Sequence, residues 1–190
     1  MRIKICGITR PEDARYAEEA GADAIGVVLF SASKRSVAPE RAQEIFGAVG
    51  PFTATVAVTH TQSRLELEEI IALHPSAIQI FHPFVFDRSP GPKIIRVIAR
   101  GDPLPEDCAA VIVDESHGGG KRFDTDYARE AVKRSRVPVI LAGGLTPANV
   151  GRAILDVQPY AVDVASGVES SPGIKDHEKI RAFIAASRSV

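Results

Sequence analysis

PVILAGGLTPANVGRAIL, residues 138–155, reads as one complete strand–turn–helix unit. Pro138–Ala142 is a short apolar run without polar alternation, the pattern of a strand buried on both faces of a parallel sheet. Gly143-Gly144 breaks that run, and Pro147–Leu155 follows with apolar residues spaced by three and four, as in an amphipathic helix. The unit recurs in both directions along the chain. Further strand candidates are Ile3–Cys6, Ala24–Leu29, Thr53–Thr59, Ala77–Phe81, Lys93–Ile98, Ala109–Val113 and Ala161–Ala165. Helical patterns cover Pro11–Glu19, Pro39–Phe46, Arg64–Leu73, Asp126–Lys133 and Lys175–Ala186. Thr9 is the expected N-cap of the first helix, with Pro11 and acidic residues in its opening turn.

This alternation predicts an α/β fold, and eight strand candidates predict a (β/α)8 TIM barrel formed as a single domain over residues 1–190. The repeat is about 24 residues, short for a barrel whose usual size is near 250. The missing length falls at HPFVFDRSPGP (82–92) and ARGDPLPEDC (99–108), two Pro-rich connections that disfavour helix. Helices four and five of the outer ring are therefore expected to be shortened or absent.

Composition narrows the function classes. The 190 residues carry 23 Lys+Arg against 24 Asp+Glu, without the basic surplus that nucleic-acid or anionic-membrane binding needs. The opening MRIKICGITR holds no signal-peptide core, and no apolar run reaches the roughly 20 residues of a membrane span. Cys6 and Cys108 lie too far apart in sequence to suggest a disulfide framework or a clustered metal site. A cytoplasmic chain acting on a small molecule is expected, with neither nucleic acid nor membrane as partner.

Glycines and polar residues gather just after the strands, where barrel active sites are built. Cys6-Gly7 follows the first strand, Ser31–Arg35 the second, and His117-Gly118-Gly119-Gly120 the sixth; Gly143-Gly144 follows the seventh and Ser166-Gly167 the eighth. Such turns let backbone N–H groups approach an anion, and loops after the seventh and eighth strands often hold a phosphate. The residues alone leave Cys6 open between a small buried apolar group and a thiolate base. Asp124 is either the cap of the helix beginning near Asp126 or, if Asp126 takes that role, free for chemistry. Arg35 is either a solvated loop charge or a planar fork for a carboxylate. His60, His82 and His117 fall near strand ends with Asp114 and Asp163, but they lack ligand spacing, and no metal site is assigned. His74 and His177 read as surface residues.

These residues resemble the phosphoribosylanthranilate isomerase family of tryptophan biosynthesis. KICGIT (Lys4–Thr9) with EDA (Glu12–Ala14), GADAIG (Gly21–Gly26), SKRSV (Ser33–Val37) and GGGKRFD (Gly118–Asp124) carry the likeness. AGGLTPANV (Ala142–Val150), VDVASGVE (Val162–Glu169) and PGIKD (Pro172–Asp176) extend it to the end of the chain. The resemblance implies a (β/α)8 barrel and a cofactor-free Amadori rearrangement. The implied substrate is N-(5-phosphoribosyl)anthranilate and the product 1-(2-carboxyphenylamino)-1-deoxyribulose 5-phosphate. It matches Cys6 to the general base, Asp124 to the general acid and Arg35 to the position meeting the anthranilate carboxylate. The loops at Gly143-Gly144 and Ser166-Gly167 match the phosphate site, and Gly119, Gly120 and Asp163 complete the expected substrate-binding set. Where the family usually has Gln-Leu-His-Gly at the fourth strand, this chain has Gln79-Ile80-Phe81-His82-Pro83. That moves the histidine one position, onto the other face of the strand. Thr125 stands for a usual Trp, and Ala165 for a common Ser.

Two readings compete with the isomerase. One is another sugar-phosphate isomerase or epimerase on the same barrel, with a different proton-transfer pair or a metal held by His60 and His82. The other is a non-catalytic phosphometabolite-binding barrel, which retention of both Cys6 and Asp124 argues against. Two physical expectations follow. Lys4 shares strand parity with Cys6, so it points inward and needs an acidic partner, for which Asp163 is best placed. An acid–base pair also needs opposed shifts: Asp124 raised, once substrate is bound, by desolvation beside its phosphate, and Cys6 lowered by Lys4 and the strand end.

Overall fold

Eight short apolar strands pair in parallel and close into a barrel, β1 to β8 in chain order, in a computed structural model that describes residues 1–86, 89–114 and 124–190. The strands are β1 (Arg2–Ile5), β2 (Ala24–Leu29), β3 (Ala54–Thr59), β4 (Ala77–Ile80), β5 (Lys93–Ile98), β6 (Ala110–Val113), β7 (Val139–Leu141) and β8 (Ala161–Val164). Helices α1 (Pro11–Ala20), α2 (Pro39–Phe46), α3 (Arg64–Ala72), α4 (Thr125–Arg134), α5 (Val150–Val157) and α6 (His177–Arg188) form the outer layer. None of these helices is long and apolar enough to cross a membrane.

Strand parity divides the core in two. Ile3 and Ile5 face outward into a layer shared with Ala14, Ile180 and Phe183, while Cys6 faces inward with Val28, Val56, Ile112 and Ile140. β1 closes the barrel against β8, with Lys4 opposite Asp163. Lys4 turns inward as expected and is buried; its Nζ lies 3.0 Å from Asp163 Oδ1 and donates to Gln79 Oε1 at 2.8 Å.

The outer ring is thin where expected. Among the described residues no helix connects β4 to β5 or β5 to β6. Phe84, Phe86, Leu104 and Cys108 pack against the outer core there instead. Arg96 ties these connections together, its Nη2 donating to Phe84 O at 3.1 Å and Asp107 Oδ2 at 2.9 Å. Aromatic side chains and one arginine thus replace two helices at a fraction of the chain length.

Several helix N-termini differ from the sequence reading, in their cap or in their first residue. Arg10, not Thr9, is the N-cap of α1; no side chain caps it, and Arg10 instead clasps the Asp13 carboxylate at 3.0 Å through both Nε and Nη2. Thr9 Oγ1 donates to Gly173 O, drawing it away from the helix. α5 begins at Val150 rather than Pro147, because Asn149 Oδ1 accepts from Thr146 N at 2.8 Å and holds that segment as a turn. α6 begins at His177 rather than Lys175, because Asp176 accepts from the N–H groups of Glu178 and Lys179. Lys175 belongs to a small hairpin, β9 (Glu169–Ser171) with β10 (Ile174–Lys175). His177 is half-exposed but not idle; it stacks on Tyr16 and its Nε2 meets Asp13 Oδ1 at 2.9 Å.

Candidate active site

A cavity of about 470 Å³ opens at the C-terminal ends of the strands. Cys6 and Gly7 enter it after β1, Ser31, Ala32, Ser33 and Arg35 after β2, His60 after β3, Phe81 after β4 and Ala165 after β8; Gln79 and Asp163 form part of its lining. Cys6, Arg35 and Asp163, separated widely in sequence, are thereby brought into one pocket. Gly119 and Gly120 lie outside the described residues, as does His117.

Gly7 has φ +72°, and a Cβ there would lie 2.5 Å from Arg35 Cδ. A side chain at residue 7 would therefore both strain the backbone and displace Arg35. Arg35 is not a solvated charge: its Nε and Nη2 donate to Glu169 Oε1 and Oε2 at 2.8 and 2.6 Å. The opposite edge of the guanidinium, Nη1 with the second Nη2 proton, remains for another carboxylate.

The Cys6 proton affinity runs against the sequence expectation, whereas the one for Asp124 concerns the substrate-bound site. Burial pushes the Cys6 thiol up, outweighing the pull of Lys4, and the Asp163 carboxylate adds to the rise. The Lys4 charge is already paired with Asp163, so less of it reaches Cys6. Asp124 moves the other way. It is the N-cap of α4 after all, accepting from Tyr127 N at 3.0 Å and Asp126 N at 2.9 Å, and it pairs with Arg100. These hydrogen bonds, Tyr127's foremost, and the Arg100 charge hold its carboxyl below the usual range. The cap falls to Asp124 because α4 begins at Thr125, one residue earlier than expected, which places Asp126 inside the first turn. Asp124 is not among the described residues that line the cavity.

Beside the cavity, two loops meet. Gly143 and Gly144 follow β7 at φ +92° and +62°. After β8, Ser166–Val168 forms a single 3₁₀ turn whose Gly167 packs so closely that a Cβ would come 1.9 Å from Leu145 O. Among the described hydrogen bonds none uses the backbone N–H of Gly143, Gly144, Ser166 or Gly167. Gly167→Ala is expected to force these loops apart and cost about 1–3 kcal/mol by overpacking. Urea unfolding measures this, and an unchanged midpoint would contradict the close contact.

His60 and His82 have different described neighbours. His60 lines the cavity, meets Ser31 Oγ through Nδ1 at 2.9 Å and stacks on Phe81 with centroids 3.9 Å apart. His82 meets Phe84 edge-on. Among the described residues no three His, Cys, Asp or Glu side chains gather as a metal site would require.

The family model for N-(5'phosphoribosyl)anthranilate (PRA) isomerase matches residues 3–186. This chain belongs to that family. An N-(5'-phosphoribosyl)anthranilate isomerase from Methanoregula boonei is 65% identical over 189 residues, 99% of this chain and 97% of the relative. The crystal structure of the phosphoribosyl anthranilate isomerase of Thermus thermophilus superposes with a TM-score of 0.88 at 36% identity, covering 100% of this chain and 99% of that one. A further phosphoribosyl anthranilate isomerase is solved in complex with reduced 1-(o-carboxyphenylamino)-1-deoxyribulose 5-phosphate. It superposes with a TM-score of 0.84 at 32% identity, with 100% of both chains covered.

Within the phosphoribosylanthranilate isomerase pattern, the strand-four departure has a structural consequence. Phe81, standing where the family pattern has histidine, lines the cavity, and the imidazole stacked on it comes from His60 at the end of β3. Sequence reasoning missed Glu169 and Lys175. Glu169 Oε1 accepts from Lys175 Nζ at 2.9 Å and Gly173 N at 3.2 Å while the same carboxylate holds Arg35. Both residues stand inside the family motifs VDVASGVE and PGIKD, but nothing in the residue types indicates that they meet.

Proposed function

We propose that this chain catalyses the Amadori rearrangement of N-(5'-phosphoribosyl)anthranilate to 1-(2-carboxyphenylamino)-1-deoxyribulose 5-phosphate, with Cys6 as general base and Asp124 as general acid. The observation that carries the site assignment is the convergence of Cys6 and Arg35 on one cavity at the C-terminal rim, beside two glycine loops whose backbone N–H groups donate in none of the described hydrogen bonds. The phosphate is bound by backbone N–H groups of Gly143, Gly144, Ser166 and Gly167, with Gly119 and Gly120 in the same substrate-binding set. Arg35 takes the anthranilate carboxylate on its free edge, and Asp163 holds Lys4 beneath the reacting sugar.

The steps balance in protons. Asp124 gives a proton to the furanose ring oxygen, the C1–O bond breaks, and the nitrogen lone pair forms the Schiff base. Cys6 removes the proton from sugar C2, and the electron pair of that C–H bond neutralises the iminium to give an enolamine. Tautomerisation of the enolamine gives the ketose. The reaction starts from thiolate and carboxylic acid, whereas the resting site holds the proton the other way round. These two states contain the same number of protons, so the active form is a tautomer of the resting one and needs no net exchange with solvent.

The direct test is a fluorescence assay following loss of phosphoribosylanthranilate on the purified chain; no enzyme-dependent decay would overturn the assignment. Arg35→Lys keeps the charge but loses the planar fork, so KM for the carboxylated substrate is expected to rise about 10- to 100-fold, the worth of a charge-assisted bond. An aniline analogue without the carboxylate should be nearly insensitive, and an equal response for both would count against this contact.

A further inference from the structure

Arg35 is held by an acid that cannot give way. The Glu169 side chain is 4% exposed, and its two oxygens take four hydrogen bonds, from Arg35 Nε and Nη2, Lys175 Nζ and Gly173 N. The Lys175 side chain has no exposure at all, and its Nζ also donates to Ala165 O at 3.1 Å. Both described partners of Lys175 Nζ are acceptors, which suits the three-donor ammonium; burial lowers its proton affinity, and the Glu169 carboxylate opposes that fall. Clasping the Nε–Nη2 edge fixes the guanidinium plane and aims the opposite edge. The clasp has an electrostatic consequence: Arg35 with Glu169 alone is a neutral pair, a poor lure for an anion. Lys175 adds the missing charge and leaves the trio at a net of one positive.

We propose that Glu169 and Lys175 are positioning residues for recognition of an aryl carboxylate by Arg35: Glu169 sets the aim of the guanidinium, and Lys175, without touching substrate, restores the positive charge that Glu169 neutralises. The assignment rests on the reading of Arg35 as the carboxylate receptor. In support, Glu169 stays below the usual carboxylate range: burial opposes its charge, but Arg35 and Lys175 together outweigh it.

The test compares two probes, reduced 1-(o-carboxyphenylamino)-1-deoxyribulose 5-phosphate and its phenylamino counterpart without the carboxylate, titrated against wild type and variants at neutral pH. The readout is the ratio of the two affinities, which a loss of general integrity or of phosphate binding leaves unchanged. Glu169→Asp keeps the charge but withdraws the anchor, and Lys175→Met keeps the anchor but removes a charge. Each is expected to lower the ratio about 5- to 50-fold, the range for one charge misplaced or lost several ångströms away in a partly screened site. If Lys175→Met does not fold, Lys175→Gln, which keeps a donor without charge, takes its place. An unchanged ratio in Arg35→Lys would defeat the reading of Arg35 itself. A lowered ratio in Arg35→Lys with unchanged ratios at residues 169 and 175 would overturn the present inference alone. Equal weakening of both probes in the Lys175 variant would also overturn it, assigning Lys175 to the loop at Ala165.

Discussion

Cys6→Ala is expected to lower kcat by about 10²–10⁴-fold, and Asp124→Asn to do the same, the usual worth of a positioned general base or acid. Neither change should disturb affinity for the reduced product analogue, because neither group is assigned to the phosphate or the carboxylate. Wild-type-like kcat in either variant would remove that residue from the mechanism. The resting protonation adds a signature in the pH profile. The thiol is raised by burial and the carboxyl lowered by its capping N–H groups and Arg100. The reactive tautomer, thiolate with carboxylic acid, is then a small and constant fraction at every pH between the two. Activity falls only when pH drops below the depressed Asp124 value, where Cys6 stays protonated beside an already protonated acid. It also falls when pH rises above the raised Cys6 value, where Asp124 has no proton to give. The profile of kcat/KM, corrected for the substrate's own phosphate ionisation, should therefore be a plateau wider than the gap between an ordinary carboxylic acid and an ordinary thiol. A narrow bell centred near neutrality would show instead that the free enzyme already has the opposed shifts assumed from sequence.

Lys4→Met should destabilise the fold by about 3–5 kcal/mol, the cost of stranding one partner of a buried ion pair. The variant leaves Asp163 buried without its cation, removes the donor to Gln79, and lets Asp114 act on Asp163 unopposed by Lys4. The sign of the pH dependence follows from linkage. Burial already raises Asp163 above its ordinary value despite Lys4, and losing Lys4 raises it further. A carboxyl with a raised folded-state value favours folding when protonated, and that advantage is lost as pH rises through the folded value. The deficit of Lys4→Met in urea unfolding should therefore be largest at neutral to mildly alkaline pH and shrink on acidification, as Asp163 takes up a proton instead of remaining charged. A deficit independent of pH would mean that lost packing, not the stranded carboxylate, sets the cost.

The strand-and-turn grammar was readable because it is local. β-branched runs of four to seven residues, glycine after them and prolines in two connections each act on the backbone within a turn of their own position, so the barrel and its thinned flank follow directly. Strand parity is local too, and it predicts Lys4 against Asp163: a two-residue period and a closed sheet leave an inward lysine little choice of partner. The resemblance added roles for Cys6, Asp124 and Arg35 through motifs that are likewise contiguous.

What the sequence could not decide was how charges divide among residues that are far apart in the chain. The Asp124 carboxylate is fixed by the start of α4 and by Arg100, 24 positions earlier, and Cys6 is governed by burial among β-strands and by whether Asp163 has already claimed Lys4. Arg35 meets Glu169 across 134 residues, and Lys175 joins them only because Asp176 starts α6 late enough to leave residue 175 in a hairpin. Desolvation and Coulomb attraction depend on distance and neighbours in three dimensions. The sequence by itself determined which residues stand at the rim of the barrel; only the tertiary structure decided which way the proton affinities of Cys6 and Asp124 shift, and which edge of Arg35 Glu169 occupies.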